Sequence, residues 1–137
     1  MSSETVHRGS CLCGGVVYEV EGDLRDVIGC HCTQCRKQTG HFMAATAAKH
    51  TNFRVVKQDT LTWYTSSDFA ERAFCSTCGS TLFWQRKGGD YIAIAAGTLD
   101  TPTGIKIEGH IFCADKGDYY EITDGAYQRQ QWRAEDG

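Results

Sequence analysis

Proline is almost missing from this 137-residue chain: Pro102 stands alone. Long apolar runs are missing too, and no stretch approaches the ~20 residues that a membrane helix needs. The start, Met1 to Cys11, is polar and lacks the apolar centre of a secretory signal. Neither sign of charge dominates. A formal net charge of -3 gives no reason to expect nucleic acid or an anionic membrane as a partner. There is no internal repeat, low-complexity tract or linker, and no Ser-His-Asp pattern, phosphate loop or carboxylate pair stands out. These absences point to a cytoplasmic protein, in which thiols stay reduced and clustered cysteines signal metal or catalysis more often than disulfides.

What is present is an ordinary globular composition, 41% hydrophobic and 23% charged, at the length of one domain. Fifteen glycines punctuate short apolar stretches. The run Val16-Val17-Tyr18-Glu19-Val20 after Gly14-Gly15 predicts a strand, because β-branched and aromatic side chains suit a pleated surface. Phe42 to Ala48, Leu61 to Thr65, Arg72 to Cys75, Thr81 to Gln85, Tyr91 to Ala95 and Lys106 to Phe112 read the same way. No window carries a long apolar stripe of helical period. Short helical turns are expected at Cys32 to Thr39, with Thr46 to Asn52 a competitor. The expectation is one mainly β domain of short antiparallel strands with few helical turns. The polar tail from Tyr127 to Gly137 reads as loosely ordered, with Trp132 as its one candidate anchor.

Eight cysteines remain, seven of them in three groups. Cys11 and Cys13 sit at the start of a predicted strand, where residues i and i+2 share a face, and the following glycines allow a tight turn. A lone Cys-x-Cys is a weak signal, and two half-buried cysteines are the competing reading. Cys75-Ser76-Thr77-Cys78-Gly79 is stronger: such a knuckle presents two thiolates at the spacing of a tetrahedral zinc. A redox Cys-x-x-Cys would open a helix, whereas this one lies between predicted strands. Cys30-His31-Cys32-Thr33-Gln34-Cys35 packs three sulfurs into six positions, enough for three vertices of one tetrahedron. His31, between them, reads as a structural or supporting histidine rather than a fourth ligand.

Two pairs close a four-thiolate structural site, and the triplet leaves a metal with an open position. Spacing alone does not fix the partners, since Cys32-Cys35 with Cys75-Cys78 would also make a zinc ribbon. That pairing strands Cys11, Cys13 and Cys30, so the split that keeps the triplet whole is more economical. Seven thiolates on two Zn²⁺ would bring the net charge to about -6.

The run Gly9-Ser10-Cys11-Leu12-Cys13-Gly14-Gly15-Val16, then CHCTQCRKQTG from Cys30 to Gly40, resembles the glutathione-dependent formaldehyde-activating enzyme family, grouped with centromere protein V. FCSTCGSTLFW (Phe74 to Trp84), GTLD (Gly97 to Asp100) and HIF (His110 to Phe112) continue the likeness in order. It spans about Val6 to Tyr120, so a zinc domain over 6–120 and a partly ordered extension over 121–137 are expected. The resemblance implies a tent-shaped β fold stabilised by zinc. It implies a structural Zn²⁺ on Cys11, Cys13, Cys75 and Cys78, and a second Zn²⁺ on Cys30, Cys32 and Cys35. Cys113 falls outside that pattern and reads as a small buried hydrophobe.

A zinc on three thiolates is a poor activator of water but a suitable seat for a fourth soft ligand, a substrate thiol. The resemblance implies carbon–sulfur lyase chemistry: glutathione and formaldehyde joined as S-hydroxymethylglutathione, and the reverse cleavage. Arg36 and Lys37 directly follow the triplet and are candidates to offset its charge or to grip a glutathione carboxylate, although two solvated basic residues are an equal reading. Gln34 and His41 are weaker candidates. The alternatives are a non-catalytic zinc scaffold for a protein partner and a thiol-based sensor.

Overall fold

The computed structural model describes residues 5–132. In chain order, the strands are β1 (Val6–Ser10), β2 (Val16–Glu21), β3 (Val27–Cys30), β4 (Met43–Lys49), β5 (Phe53–Gln58), β6 (Leu61–Thr65), β7 (Ala70–Cys75), β8 (Thr81–Arg86), β9 (Tyr91–Ala95), β10 (Ile107–Ile111) and β11 (Tyr127–Gln128). A single α-helix among the described residues, α1 (Thr33–Thr39), follows β3. The fold is mainly β, as the pattern of short apolar runs requires. No helix among the described residues is long and apolar enough to cross a membrane. The chain's contacts separate two compact units: one runs up to Arg25 and resumes over Thr46–Gly104, and the other comprises Asp26–Ala45 and Ile105 onward.

In the first unit β1, β2 and β5 form an antiparallel three-stranded sheet. Strands β6 to β9 form an antiparallel meander in sequence order. The alternation of β2 decides what it buries: Val16, Tyr18 and Val20 face inward and are fully buried, while Val17 and Glu19 are only half-buried. Phe83 fills the same core, edge-on to Tyr18 at 5.2 Å and to Phe53 at 5.1 Å between ring centroids. Leu82, Ile92 and Ile94 complete it. The Tyr18 hydroxyl finds a partner in Thr98 Oγ1 at 2.6 Å, which meets the demand of a buried phenol. The β1–β2 and β7–β8 connections carry Cys11 to Gly15 and Ser76 to Ser80, so two sheet turns deliver three cysteines and the end of β7 adds Cys75.

In the second unit β10 runs parallel to both β3 and β11, and β3 pairs antiparallel with the first residues of β4. The parallel pairs depart from the antiparallel expectation. They arise because β3 and β10 are far apart in sequence and need no hairpin. Helix α1 begins at the Cys32 N-cap and stops at Gly40, which takes a left-handed φ of 86°. Thr46 to Asn52 is strand and then a single 3₁₀ turn (His50–Asn52), because Thr46 and Ala48 are buried as alternate residues of β4. The tail is tied by backbone rather than by its tryptophan. Arg129 N–H donates to His110 O at 2.9 Å and Phe112 N–H to Gln131 O at 2.7 Å, whereas Trp132 is 60% exposed. The expectation for the tail beyond Trp132 falls outside the described residues.

Phe83→Ala should cost about 3–5 kcal/mol, the usual loss for a buried aromatic. Chemical denaturation checks this, and a loss below about 1 kcal/mol would mean that Phe83 does not organise the first unit's core.

Candidate metal centres

The sulfurs of Cys11, Cys13, Cys75 and Cys78 all lie within 4.8 Å of one another, and so do those of Cys30, Cys32 and Cys35. All seven are free thiols. The sulfurs thus group as a four and an intact triplet, and Cys32 and Cys35 do not converge with Cys75 and Cys78.

The four-cysteine cluster is assembled by two turns of similar build. In the first, Cys11 N–H donates to Val16 O at 3.1 Å and Val16 N–H to the Cys11 sulfur at 3.3 Å. In the second, Cys75 N–H donates to Ser80 O at 3.0 Å and Cys78 N–H to the Cys75 sulfur at 3.3 Å. Gly14 and Gly79 each follow a cysteine with φ of 82° and 79°, left-handed values that allow the chain to double back. Cys11 and Cys13 therefore lie in a turn, not in a strand as expected. Their sulfurs converge because the backbone wraps around them, not because alternate strand residues share a face. Leu12 N–H donates to Ser80 Oγ at 3.0 Å and so links the turns.

Sulfur spacing tests whether a metal fits. Zinc–sulfur bonds of about 2.3 Å at tetrahedral angles place ligand sulfurs roughly 3.8 Å apart. Cys11–Cys13 and Cys13–Cys75 are separated by 3.7 Å and 3.6 Å. At Cys75 and Cys78 neighbouring donors favour the thiolate form. The Ser80 hydroxyl, then its N–H, holds Cys78 down at about 5, and the Thr60 hydroxyl, 3.1 Å from the Cys75 sulfur, lowers Cys75. The donors and their geometry suit a metal that prefers thiolates.

The triplet is local. Cys30 ends β3, Cys32 caps α1 and Cys35 is buried in the helix. The Cys32 sulfur accepts Cys35 N–H at 3.3 Å, the role a serine or aspartate oxygen plays at an ordinary N-cap. Hydrogen bonds from the Cys30 and Cys35 thiols, followed by the N–H groups of Cys35 and Gln34, hold Cys32 down at about 2. Cys30 moves the opposite way, pushed up by its bonds to Cys32 and Cys35 and then by burial. Three sulfurs converge, and no other His, Cys, Asp or Glu among the described residues joins them.

The family model for glutathione-dependent formaldehyde-activating enzyme matches residues 6–115. The chain belongs to that family. It is similar to an uncharacterized lyase of Schizosaccharomyces pombe, 28% identical over 120 residues that cover 86% of each chain. A crystal structure of a Rhodobacter sphaeroides protein is similar in shape, with a TM-score of 0.59 and 28% identity over 73% of this chain and 98% of that one.

Around the triplet of this formaldehyde-activating-family chain, the basic candidates are placed differently. Arg36 is half-buried, with Nε donating to Asp115 O at 3.1 Å, while Lys37 is exposed. Gln34 is exposed on α1. His41 Nδ1 meets the Tyr119 hydroxyl at 2.6 Å, and its ring packs on Phe42 and Tyr120. Cys113 is half-buried in a 3₁₀ turn, with its thiol pushed up by burial, and belongs to neither cluster. His31 is fully buried and stacked on Phe42 at 4.5 Å. Its Nε2 lies 2.8 Å from His110 Nδ1, and Tyr120 Oη lies 3.0 Å from its Nδ1. Burial, and after it the neighbouring His110, brings His31 down to about 4, so the ring is neutral. His110 reaches Asp124 Oδ2 at 2.8 Å through Nε2. The residues missed by sequence reading are Tyr120 and Asp124. His110 was visible within the HIF motif, but nothing local indicated what it bonds.

In protein stripped of metal and held at pH 5, Cys32 should be alkylated well ahead of Cys30, because the first is thiolate there and the second is thiol. Peptide mass spectrometry after a brief iodoacetamide pulse reads the order; equal labelling would contradict the asymmetry.

Proposed function

We propose that this chain is a zinc-dependent carbon–sulfur lyase that makes and breaks adducts of formaldehyde with a small thiol, glutathione being the first candidate. The observation that carries the reading is the separation of the thiols into a converged four and a converged three, in a family named for glutathione and formaldehyde and with a relative named as a lyase. On this reading Cys11, Cys13, Cys75 and Cys78 hold a structural Zn²⁺, and Cys30, Cys32 and Cys35 hold a second. Residues 6–120 form the working domain and 121–137 its extension, and the reduced thiols suit a cytoplasmic setting.

Cys30, Cys32 and Cys35 would hold the zinc, which when bound would supply a seat for a thiol's sulfur and favour its thiolate form. In the cleavage direction, the carbon–sulfur bond of R–S–CH₂–OH breaks with its electron pair going to sulfur. The hydroxyl's O–H pair becomes the second carbon–oxygen bond, and the proton is released. Formaldehyde and the free thiolate are the products, and synthesis is the reverse. The protein's part is positional. The N–H groups at the start of α1 stabilise sulfur charge at Cys32, and β3 fixes Cys30. Arg36, oriented by Asp115 O, and Lys37 provide positive charge beside a thiolate-rich site and suit the carboxylates of an acidic thiol.

The test measures exchange between glutathione, formaldehyde and their adduct by NMR, set against the uncatalysed rate, alongside zinc content. Wild type should carry two zincs and accelerate exchange. Cys35→Ser should stay folded, lose one zinc and fall to the uncatalysed rate. Cys78→Ser should lose the fold, since structural zinc contributes about 10–16 kcal/mol of apparent binding free energy in small zinc modules. One zinc in wild type, or an unchanged rate in Cys35→Ser, would reject the open-site reading.

A further inference from the structure

A polar chain with a buried centre joins Tyr120, His31, His110 and Asp124, at 3.0, 2.8 and 2.8 Å in turn. Both imidazoles are inaccessible, at 0% and 2% exposure. Two polar rings are costly to bury unless their nitrogens are satisfied, and here half-buried Tyr120 and exposed Asp124 satisfy the outer ones. At Asp124 the chain has a defined direction. Asp124 is held as carboxylate by its bond from His110 and by Ala126 N–H, 3.0 Å from Oδ1. A carboxylate only accepts, so Nε2 of His110 donates. His110 Nδ1 then faces His31 Nε2, and His31 Nδ1 faces the Tyr120 hydroxyl, so every ring nitrogen has a partner.

None of these groups is itself a ligand. Across β3 and β10, His110 is opposite Gly29 and Ile111 is opposite Cys30, so His110 and Cys30 project to opposite faces. Gly29 is needed for the contact, since a Cβ there would lie 2.8 Å from His110 Nδ1. What the chain grips is the residue between two ligands. His31 N–H donates to Ile111 O at 3.0 Å while its ring is held at both nitrogens, which fixes the peptide that links Cys30 to Cys32.

We propose that Asp124, His110 and Tyr120 are positioning residues for the three-cysteine site, clamping His31 so that Cys30 and Cys32 stay converged for metal. The inference rests on the reading of the triplet as a zinc site. Tyr120 and Asp124 lie beyond residue 115, where the family match ends, so this chain's own C-terminal segment supplies both ends of the clamp. Strand β11 holds that segment in place, with Tyr127 opposite Gly109 and Gln128 opposite His110.

The experiment titrates full-length protein with Zn²⁺ against a chelator of known affinity, counts ions by native mass spectrometry, and assigns the histidine tautomers from ¹⁵N shifts. Wild type should show Nε2–H on His110. Asp124→Ala should weaken only the second zinc, by about 10–100-fold, the usual effect of losing an outer partner of a metal ligand. Asp124→Asn, whose amide oxygen accepts the same N–H, should restore most of the affinity. Tyr120→Phe, which keeps the ring packed against His41, should act in the same direction as Asp124→Ala. Equal loss at both zinc sites, no loss at either, or an Asn variant as weak as the Ala variant would overturn the clamp. A wild-type protein that takes one zinc overturns both the clamp and the lyase reading. Two zincs with the expected Asp124 effects but no accelerated exchange support the clamp and reject the lyase alone.

Discussion

Sulfur crowding is the constraint on which the rest of this structure depends. Four thiols within 4.8 Å of one another cannot all ionise without a cation, and as neutral thiols they gain little from such proximity. At Cys75 and Cys78 the surroundings nevertheless favour the ionised form, through the Thr60 hydroxyl at the first and the Ser80 hydroxyl at the second, whereas Cys13, against the pull of the Gly15 N–H, is pushed up to about 11 by its hydrogen bond to Cys75. The sheets serve this arrangement by ending where the turns must begin. Ser10 is opposite Val17 and Phe74 is opposite Thr81, and the residues between are too few for anything but a knuckle.

The two clusters meet the same demand by different means. The four-cysteine cluster joins sequence-distant turns, so its geometry is inherited from two sheets and a buried aromatic core. The triplet is contained within six residues, and a segment that short has few long-range restraints of its own. Its order comes from elements at each end: β3 pairs on both sides, and α1 starts on the Cys32 sulfur. The intervening residue is the weak point. A fully buried histidine bonded at both nitrogens places the restraint there.

Much of the fold was legible in the sequence where apolar runs were long enough to show a period. Leu61–Thr65 and Tyr91–Ala95 are strands over the expected residues, and the others named there differ by one or two residues at their ends. The strands not anticipated are those whose pattern is weak. Val6–Ser10 and Phe53–Gln58 carry charged or polar residues at exposed positions, Val27–Cys30 has four residues, and Tyr127–Gln128 has two. Their formation depends on partners that periodicity cannot reveal. The cysteine grouping was legible because soft ligands at close spacing have few other uses. The turn conformation of Cys11 to Cys13 was not, since Cys-x-Cys is compatible with either a strand or a turn until the glycines' left-handed φ is seen.

The role of His31 shows where sequence reasoning stops and why. Its position between two cysteines marked it as a supporting residue, and that follows from geometry local to six residues. Its partners come from sites 79 and 89 positions away in the chain, and no local spacing encodes them. A buried imidazole must have such partners, because an unpaired ring nitrogen in the interior costs about 1–3 kcal/mol. The demand was thus readable while the supply was not. The supply comes from His110 on β10 and from Tyr120, with Asp124 of the polar 121–137 extension at the end of the series. A carboxylate needs no apolar context to be fixed when a turn N–H and a buried imidazole both donate to it. Polar tails can therefore be structural when a buried polar group elsewhere in the chain lacks a local partner.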